Sequence, residues 1–299
     1  MKTLNKKFNK IVLYARQRRA TTGVSETLKR LVTYWQKCKS VTVFLESETA
    51  RYFSDLTLPI ADLSANETPY DLIVVVGGDG SLLGAARLAV QKGIPLVGIN
   101  RGRLGFLTSI SPHEAEAKLD EVFNGAYEEE HRFLLQARIQ DENHVILHER
   151  LALNDVVLRQ EDPAMIEFDV FEQKALISNY RADGLIVATP TGSTAYALSG
   201  GGPILHPTMD AITLVPMFPH TLSSRPIVLG TQNSLHIHMS SSNESPARLI
   251  CDGEDHLMVN PGQWICIEKF PRKVSILQPL TYNYYETLRS KLGWEALNF

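Results

Sequence analysis

A short glycine-rich run, Gly77-Gly78-Asp79-Gly80-Ser81, constrains the fold of this chain more than any other feature. It follows the apolar residues 72–76, most of which are β-branched, and it precedes the helix-like residues 82–89. A continuous apolar run of this length is typical of a strand that is buried on both faces of a parallel sheet. The glycines therefore predict a turn from a buried strand into a helix, where ligands bind in open α/β sheets.

Asp79 is the unusual member of this turn. Glycine lets the backbone approach a ligand closely, and the free N–H groups at a helix start favour an anion such as phosphate. A carboxylate beside bound phosphates is unfavourable unless it holds a metal ion or takes a proton from an attacking hydroxyl. The turn therefore predicts phosphoryl transfer, with Asp79 as candidate base and Gly80 in the ligand-binding backbone. The alternative is that Asp79 only caps the helix.

The composition narrows the class of protein. With 299 residues and 44% hydrophobic content, the chain can form a sizeable core in one large or two ordinary domains. Its formal charge of −3 offers no general attraction to nucleic acid or anionic lipid, so we expect neither nucleic acid nor a membrane as partner. Cysteines are few and form no Cys-x-x-Cys pair, which predicts a reducing compartment. The absence of a leader-like or membrane-length apolar run predicts a cytoplasmic protein.

Strand and helix signals alternate over the first part of the chain. Residues 11–15, 41–45 and 94–99 have the composition of strands, as do residues 72–76. Between the first two of these runs, one helical face carries Val24, Leu28, Leu31, Val32 and Trp35. Such alternation predicts parallel βαβ units.

A second loop follows the strand predicted over residues 94–99. Its sequence is Asn100-Arg101-Gly102-Arg103-Leu104-Gly105-Phe106. Because the carboxyl ends of parallel strands meet at one sheet edge, we expect this loop to face the glycine turn. Phe106 is then a candidate ligand contact, and the alternative is an ordinary core aromatic.

The pattern changes near residue 131, where short strand-like runs separated by turn residues predict a mostly β domain. These runs cover residues 133–140, 145–148, 166–171, 234–239, 249–252, 264–268 and 274–277. Residues 282–294 are helix-like again. His236 and His238 share one strand face but have no third ligand, so no metal site is predicted.

Residues 181–203 form an unusual insert in the β domain, rich in hydroxyls, glycine and proline. Thr189, Thr191, Ser193 and Thr194 offer hydroxyl groups before a short helix, which suits a polar, planar ligand. The alternative is that the hydroxyls serve their own backbone. The pair Asn154-Asp155 heads another strand-like run and suits adenine and ribose edges, unless it is only an Asx-turn.

Together these segments resemble the ATP-dependent NAD kinases, in the family's order and spacing. The matching motifs are Gly77-Gly78-Asp79-Gly80, the loop 100–106, Asn154-Asp155, Arg181-Ala182-Asp183-Gly184 and Thr189-Pro190-Thr191-Gly192-Ser193-Thr194-Ala195-Tyr196. Residues 214–222 and 291–294 resemble its bacterial, enterobacterial-type branch. The glycine motif alone is weak, whereas the motif at 189–196 is far more specific.

The resemblance implies an N-terminal Rossmann-like α/β domain with a parallel sheet over residues 1–130 and a C-terminal β-rich domain over residues 131–278. A helical tail over residues 279–299 is expected to pack on the first domain. NAD would bind between the domains of a homodimer or homotetramer, in which a neighbouring subunit helps to complete the site. The implied reaction moves the γ-phosphoryl of ATP to the 2′-hydroxyl of NAD, giving NADP, with Mg²⁺ or another divalent cation.

The resemblance also implies roles for single residues. Asp79 is the base near the 2′-hydroxyl of the adenosine ribose, Asn154 and Asp155 hold the adenosine half, and Phe106 lines the adenine pocket. Arg181 influences charge selection. The residues implied to contact NAD are Asp183, Thr194, Ala195, Tyr196 and Ser199.

Two positions depart from the family pattern. Asp155 stands where the family commonly has Glu, which keeps the charge and shortens its reach by one methylene. Glu254 stands where the family commonly has Gln, and its contact with NAD is an expectation. The rival functions are a lipid kinase of the same superfamily and a non-catalytic NAD-sensing module. This sequence has no basic amphipathic or hydrophobic membrane-binding patch, which disfavours a lipid kinase. The retained Asp79 disfavours the sensing module.

Overall fold

A computed structural model of the protein describes residues 8–16, 22–36, 41–65, 70–101, 105–160 and 164–294. The chain divides into two units, Met1–His131 with Val274–Phe299, and Arg132–Lys273. Within the described ranges, no helix has the length and apolar character needed to cross a membrane.

The first unit begins with alternating strands and helices. In chain order these are β1 (Lys10–Tyr14), α1 (Thr22–Gln36), β2 (Thr42–Glu46), α2 (Ser47–Tyr52), β3 (Ile60–Ala61), β4 (Leu72–Gly77), α3 (Asp79–Lys92), β5 (Leu96–Asn100) and α4 (Ala115–Phe123). The strands pair in the order β5-β4-β1-β2-β3, and every one of these pairs is parallel. The predicted parallel sheet is confirmed.

Burial explains why these residues form these elements. Every residue of β4 is buried, as its apolar composition requires, since the strand lies between β1 and β5. The predicted apolar face of α1 is buried along its whole length, from Val24 to Trp35. Because β4 and β5 pair in parallel, their carboxyl ends lie side by side, with Gly77 opposite Asn100.

The second unit consists mainly of strands. The remaining elements are β6 (Tyr127–Gln140), β7 (Ile146–Ala152), β8 (Asp155–Arg159), β9 (Ile166–Glu172), β10 (Ala175–Ala182), β11 (Gly184–Ala188), α5 (Tyr196–Ser199), β12 (Ala211–Met217), β13 (Ile227–Gly230), β14 (Leu235–Met239), β15 (Ala247–Cys251), β16 (Asp255–Val259), β17 (Trp264–Pro279) and α6 (Tyr284–Leu292). Helix α6 belongs to the first unit. Strands β6 and β17 have residues in both units.

Antiparallel pairing organises the second unit. One sheet has the order β13-β12-β11-β8-β15-β16. A second group, β10-β9-β14-β17, also pairs in antiparallel fashion. Buried side chains of both groups, among them Leu158, Phe168 and Leu249, form one apolar core. The predicted β-rich class is confirmed.

Two sequence expectations differ from the observed strands. The runs 264–268 and 274–277 belong to one continuous strand, β17. The insert predicted over residues 181–203 contains β11, which is wholly buried between β8 and β12 because Leu185, Ile186 and Val187 form a short apolar run. Only the part after Ala188 is loop and short helix.

Candidate active site

The glycine turn leads directly from β4 into α3. Gly78 is the N-cap residue and Asp79 the first residue of the helix, and no side-chain hydrogen bond caps this end. Asp79 therefore does not cap α3. Its carboxylate accepts four hydrogen bonds from residues 106–108, so it joins the glycine turn to the loop that follows β5.

The two oxygens of Asp79 have different surroundings. Oδ1 accepts from the backbone N–H groups of Leu107 and Thr108, both at 3.1 Å, and from the Thr108 hydroxyl at 3.0 Å. Oδ2 accepts from the N–H of Phe106 at 2.8 Å. Because each carboxylate oxygen offers about two lone-pair sites, Oδ1 is saturated while Oδ2 can accept one more donor.

Gly105 makes this close approach possible. A Cβ atom added there would lie 2.0 Å from Oδ1 of Asp79, so a side chain at this position would collide with the carboxylate. Phe106 is half-buried, and its carbonyl accepts from the Tyr282 hydroxyl at 3.2 Å while its ring lies 6.3 Å from that of Tyr284. The preceding residues of the motif, 102–104, lie outside the described residues.

The second unit contains a cavity of about 390 Å³ that collects several of the predicted residues. Its lining comprises Asn154, Asp155, Val157, Arg159, Ala195, Tyr196, Ile250, Asp252, Gly253 and His256. Strands β8, β15 and β16 contribute half of these residues, Asn154 precedes β8, Asp252 and Gly253 lie in the turn after β15, and Ala195 and Tyr196 lie at the start of α5. Four predicted site residues, Asn154, Asp155, Ala195 and Tyr196, are therefore brought together.

Asp252 is a lining residue that the sequence interpretation did not select. It is buried and has a positive φ of 52°, in the turn after β15. Its carboxylate accepts from the N–H of Asn154 at 2.7 Å and of Leu153 at 3.0 Å. The signal was the Asp252-Gly253 dipeptide, because Asp-Gly marks a tight turn that can turn a carboxylate back onto a neighbouring strand.

Asp155 is only 5% exposed at the start of β8. Burial, together with the neighbouring Asp252 carboxylate, raises the pKa of Asp155 to about 7. No described residue donates a hydrogen bond to the Asp155 side chain. The cavity thus contains a carboxyl group that titrates near neutral pH and has free acceptor positions.

The hydroxyl-rich loop before α5 is stabilised mainly by its own side chains. The Thr189 hydroxyl donates to the Leu153 carbonyl at 2.6 Å, and the Ser193 hydroxyl donates to that of Pro190 at 2.7 Å and accepts from the N–H of Leu205 at 2.9 Å. Gly192 is required because a Cβ there would lie 2.1 Å from the Asn154 carbonyl oxygen. The hydroxyls of Thr189 and Ser193 therefore bond to the protein's own backbone, which was the alternative to ligand binding. The loop that they stabilise places Ala195 and Tyr196 at the cavity.

Thr194 and Ser199 flank these two residues. The Thr194 hydroxyl donates to the Thr191 carbonyl at 3.3 Å. Ser199 and Tyr196 line a different cavity of about 500 Å³, together with Met217 and the exposed Phe218. Helix α5 therefore contributes to two cavities of the second unit.

The other predicted contacts lie outside the 390 Å³ cavity. Asp183 is exposed between β10 and β11, and its N–H donates to the Met217 carbonyl at 2.9 Å. Arg181 is also exposed, with its Nε 3.8 Å from the Glu167 carboxylate. Glu254 is half-buried in the turn after β15, but Asp252 and Gly253 are the residues of this turn that line the cavity.

The fold and these groups define a class of protein. A parallel sheet presents a glycine turn with an oriented carboxylate, and a β-rich unit presents a cavity whose apolar walls and few polar groups suit a nucleoside. Both are features of an enzyme that transfers a phosphoryl group to or from a nucleotide.

Comparison with known proteins identifies the family. Residues 11–127 match the ATP-NAD kinase N-terminal domain, and residues 153–278 match the ATP-NAD kinase C-terminal domain. The chain is 49% identical over 294 residues to the NAD kinase of Legionella pneumophila strain Paris, covering 98% of this chain and 99% of that one. It is 46% identical over 292 residues to the NAD kinase of Coxiella burnetii strain RSA 493, covering 96% of this chain and 95% of that one. The chain belongs to the NAD kinase family.

Two solved structures share the fold. Yeast NADH kinase, complexed with NADH, superposes with a TM-score of 0.89 at 23% identity, covering 98% of this chain and 89% of that one. An NAD kinase from Archaeoglobus fulgidus, in complex with ATP, gives a TM-score of 0.69 at 25% identity, covering 95% and 98%. The expected activity is confirmed: the chain phosphorylates NAD to NADP with ATP as donor.

Proposed function

We propose that Asp79 is the general base of this reaction and that residues 77–80 bind the phosphates of ATP. The observation that carries the proposal is the asymmetry of the Asp79 carboxylate, in which loop donors saturate Oδ1 and leave one acceptor position on Oδ2. Oδ2 takes the proton of the 2′-hydroxyl as the oxygen bonds to the γ-phosphorus and ADP leaves. The hydrogen bonds to Oδ1 orient the carboxylate for this step.

The free space at the glycine turn supports the phosphate assignment. Cβ atoms added to Gly78 or Gly80 would have no atom within 4 Å, so a bound group can approach the backbone there. The N–H groups at the start of α3 supply donors and a positive helix end. Positioning and electrostatic stabilisation supply most of the rate acceleration in such a site.

A divalent cation, Mg²⁺ or another, is proposed to accompany ATP. Among the described residues no group of three or more His, Cys, Asp or Glu side chains could hold a metal ion. Mg²⁺ is commonly bound by substrate phosphates, water and at most one or two carboxylates, so the phosphates of ATP are proposed as its main ligands. The cation would neutralise charge on the triphosphate, and excess chelator is expected to abolish turnover.

NAD is proposed to contact the residues that the family resemblance implies. Asn154 and Asp155 hold the adenosine half in the 390 Å³ cavity, and Phe106 contacts the adenine. The side-chain amide of the half-buried Asn154 and the free acceptors of Asp155 suit ribose hydroxyls. The further proposed contacts are Asp183, Thr194, Ala195, Tyr196, Ser199 and Glu254, with Arg181 influencing charge selection.

A homodimer or homotetramer is proposed on a separate observation. Phe218, which lines the 500 Å³ cavity, is 78% exposed, and Leu222 is 94% exposed four residues later; a patch of water-facing apolar side chains marks a protein–protein interface. A second copy is the proposed partner. Light scattering of the purified protein, compared with Leu222→Asp, tests this assembly, and a monomeric parent protein would contradict it.

Cytoplasmic location stays a prediction.

The experiment on the base compares Asp79→Asn with Thr108→Val. Asn keeps the oxygen that accepts from Leu107 and Thr108 and replaces Oδ2 with an NH2 group, which can neither take a proton nor accept from the N–H of Phe106. We expect kcat to fall by roughly 10²–10⁴, with NAD affinity near that of the parent protein and a Tm lowered about as much as in Thr108→Val, which also loses one hydrogen bond to this carboxylate. Thr108→Val removes one donor to Oδ1 and keeps the base, so its kcat should fall less than about 10-fold. Equal losses in the two variants would show that Asp79 only ties the loops together.

A further inference from the structure

The backbone of Arg101 lies beside the glycine turn, and its side chain extends to the start of α1. The residue directly follows β5, and its backbone N–H donates to the Gly77 carbonyl at 3.0 Å. Its side chain covers Gly23 in the first turn of α1, where an added Cβ would lie 1.6 Å from Nη2 and 2.6 Å from Cζ. The side chain therefore lies between the carboxyl end of β5 and the start of α1.

This guanidinium is partly buried and has no partner among the described residues. Its Nε is buried and makes no hydrogen bond, and no described carboxylate forms an ion pair with it. Asp79 is not its partner, since the four donors to that carboxylate all come from residues 106–108. The positive end of α1 adds to the local positive charge instead of offsetting it. A partly desolvated cation in this position is stabilised by an anionic ligand.

We infer that Arg101 binds the phosphate chain of ATP. The inference rests on the proposed binding of ATP at the glycine turn. A planar guanidinium can hold two phosphate oxygens at once and cannot lose its proton, so it supplies a fixed positive charge opposite the triphosphate.

The first test removes the positive charge of Arg101. Arg101→Gln should raise the ATP KM by roughly 10–100-fold, with the NAD KM changed less than about 2-fold. Calorimetric affinity for a non-hydrolysable ATP analogue with Mg²⁺ should fall by the same factor, which tests binding without turnover. Arg101→Lys keeps a point charge and loses the bidentate geometry, so its affinity should lie between those of the parent protein and Arg101→Gln. A larger rise in the NAD KM than in the ATP KM would overturn the inference.

Arg30→Gln is the matched control on α1. The Arg30 guanidinium already has a carboxylate partner, Glu116, at 2.5 Å. Arg30→Gln removes the same formal charge as Arg101→Gln, but it removes a guanidinium that already has a partner. Neither the ATP affinity nor the NAD KM should change by more than about 2-fold, as for a surface ion pair; a change equal to that of Arg101→Gln would show that only net charge matters and would overturn the inference.

A second variant moves the guanidinium without removing it. Gly23→Ala puts a methyl group where Nη2 and Cζ lie, and the flexible end of Arg101 must shift. Because alanine favours a helix over glycine, Tm should be unchanged or higher. The ATP KM should rise by roughly 3–30-fold, part of the effect of losing the charge-assisted hydrogen bonds. An unchanged ATP KM would contradict the placement of Arg101 on the phosphates.

Gly78→Ala distinguishes the role of Arg101 from the proposed binding of ATP at the glycine turn. The added methyl group meets no protein atom within 4 Å, so folding should be preserved while phosphate loses its close approach. If Gly78→Ala weakens binding of the ATP analogue and Arg101→Gln does not, the turn binds ATP and the inference about Arg101 is wrong. If neither variant changes it, the placement of ATP at the turn is wrong as well.

Discussion

Asp79 and Asp155 show how the same side chain acquires different properties in the two units. Asp79 accepts four hydrogen bonds from one neighbouring loop, which orients its carboxylate at the glycine turn. Asp155 receives none from the described residues, and burial beside Asp252 raises its pKa to about 7. The difference teaches that a carboxylate is oriented by donors that converge on it, whereas burial beside another carboxylate makes it titrate near neutrality.

The largest expected effect comes from disturbing the Asp79 side of this comparison. Gly105→Ala places a methyl group 2.0 Å from Oδ1, so either the carboxylate or the loop must move. A displacement of about 1 Å can cost roughly 10² in rate, and we expect kcat to fall by about that factor. Gly230→Ala, which meets no atom within 4 Å, is the control and should leave kcat unchanged. Steady-state kinetics with normal kcat in Gly105→Ala would break the link between Asp79 orientation and catalysis.

A smaller effect is expected from the exposed Asp183. Its proposed contact is with NAD alone, so Asp183→Ala should raise the NAD KM by roughly 10-fold through loss of one charge-assisted hydrogen bond. The ATP KM should stay near its original value. Asp210→Ala removes an exposed aspartate of the same unit that pairs with Lys269 at 2.6 Å, and it should change neither KM. Equal rises for both substrates in Asp183→Ala would count against the assignment.

Asp155→Asn sharpens the other side of the comparison through pH. The folded-state pKa of Asp155 is about 7 and its ordinary value is 3.8, so the folded protein binds the proton more tightly than the unfolded chain. The resulting stability is fully present below about pH 4 and is lost progressively up to about pH 7. Asp155→Asn should remove this contribution to the dependence of stability on pH. The Tm of the variant at pH 8 should therefore exceed that of the parent protein.

Thermal unfolding from pH 4 to pH 8 measures this difference directly. Subtracting the variant's curve from that of the parent protein cancels the other titrating groups, provided that they are unaffected by the substitution. Parallel curves would mean that Asp155 titrates at its ordinary pKa. The NAD KM of Asp155→Asn should rise only a few-fold at pH 8, because an amide oxygen still accepts one hydrogen bond.

The smallest kinetic effect is expected at Ser193, which is wholly buried. Ser193→Ala leaves the N–H of Leu205 without its acceptor and should lower the free energy of unfolding by about 1–3 kcal/mol. Both KM values should stay the same at a temperature where the variant is folded. A large rise in the NAD KM without loss of stability would show that this hydroxyl binds ligand instead of shaping the loop. Calorimetry and steady-state kinetics decide between these outcomes.

Local sequence was sufficient for the elements that are governed by short-range pattern. Strand β4 and the apolar face of α1 follow from the periodicity of their own residues, since burial of those faces is the dominant favourable term in folding. The order of glycine turn and helix, and hence the position of Asp79, follows from the same pattern. The resemblance of several ordered motifs was sufficient for the family and its reaction.

Only the tertiary structure decided which groups meet. Four donors to Asp79 come from residues more than 25 positions away, and Asp252 reaches the N–H groups of Leu153 and Asn154 across nearly 100. No local pattern records such distances, because strand pairing brings these segments together. The sequence therefore determined the chemistry available to this protein, whereas packing decided that Asp79 is oriented by the loop after β5 and that Asp155 lies buried against a second carboxylate.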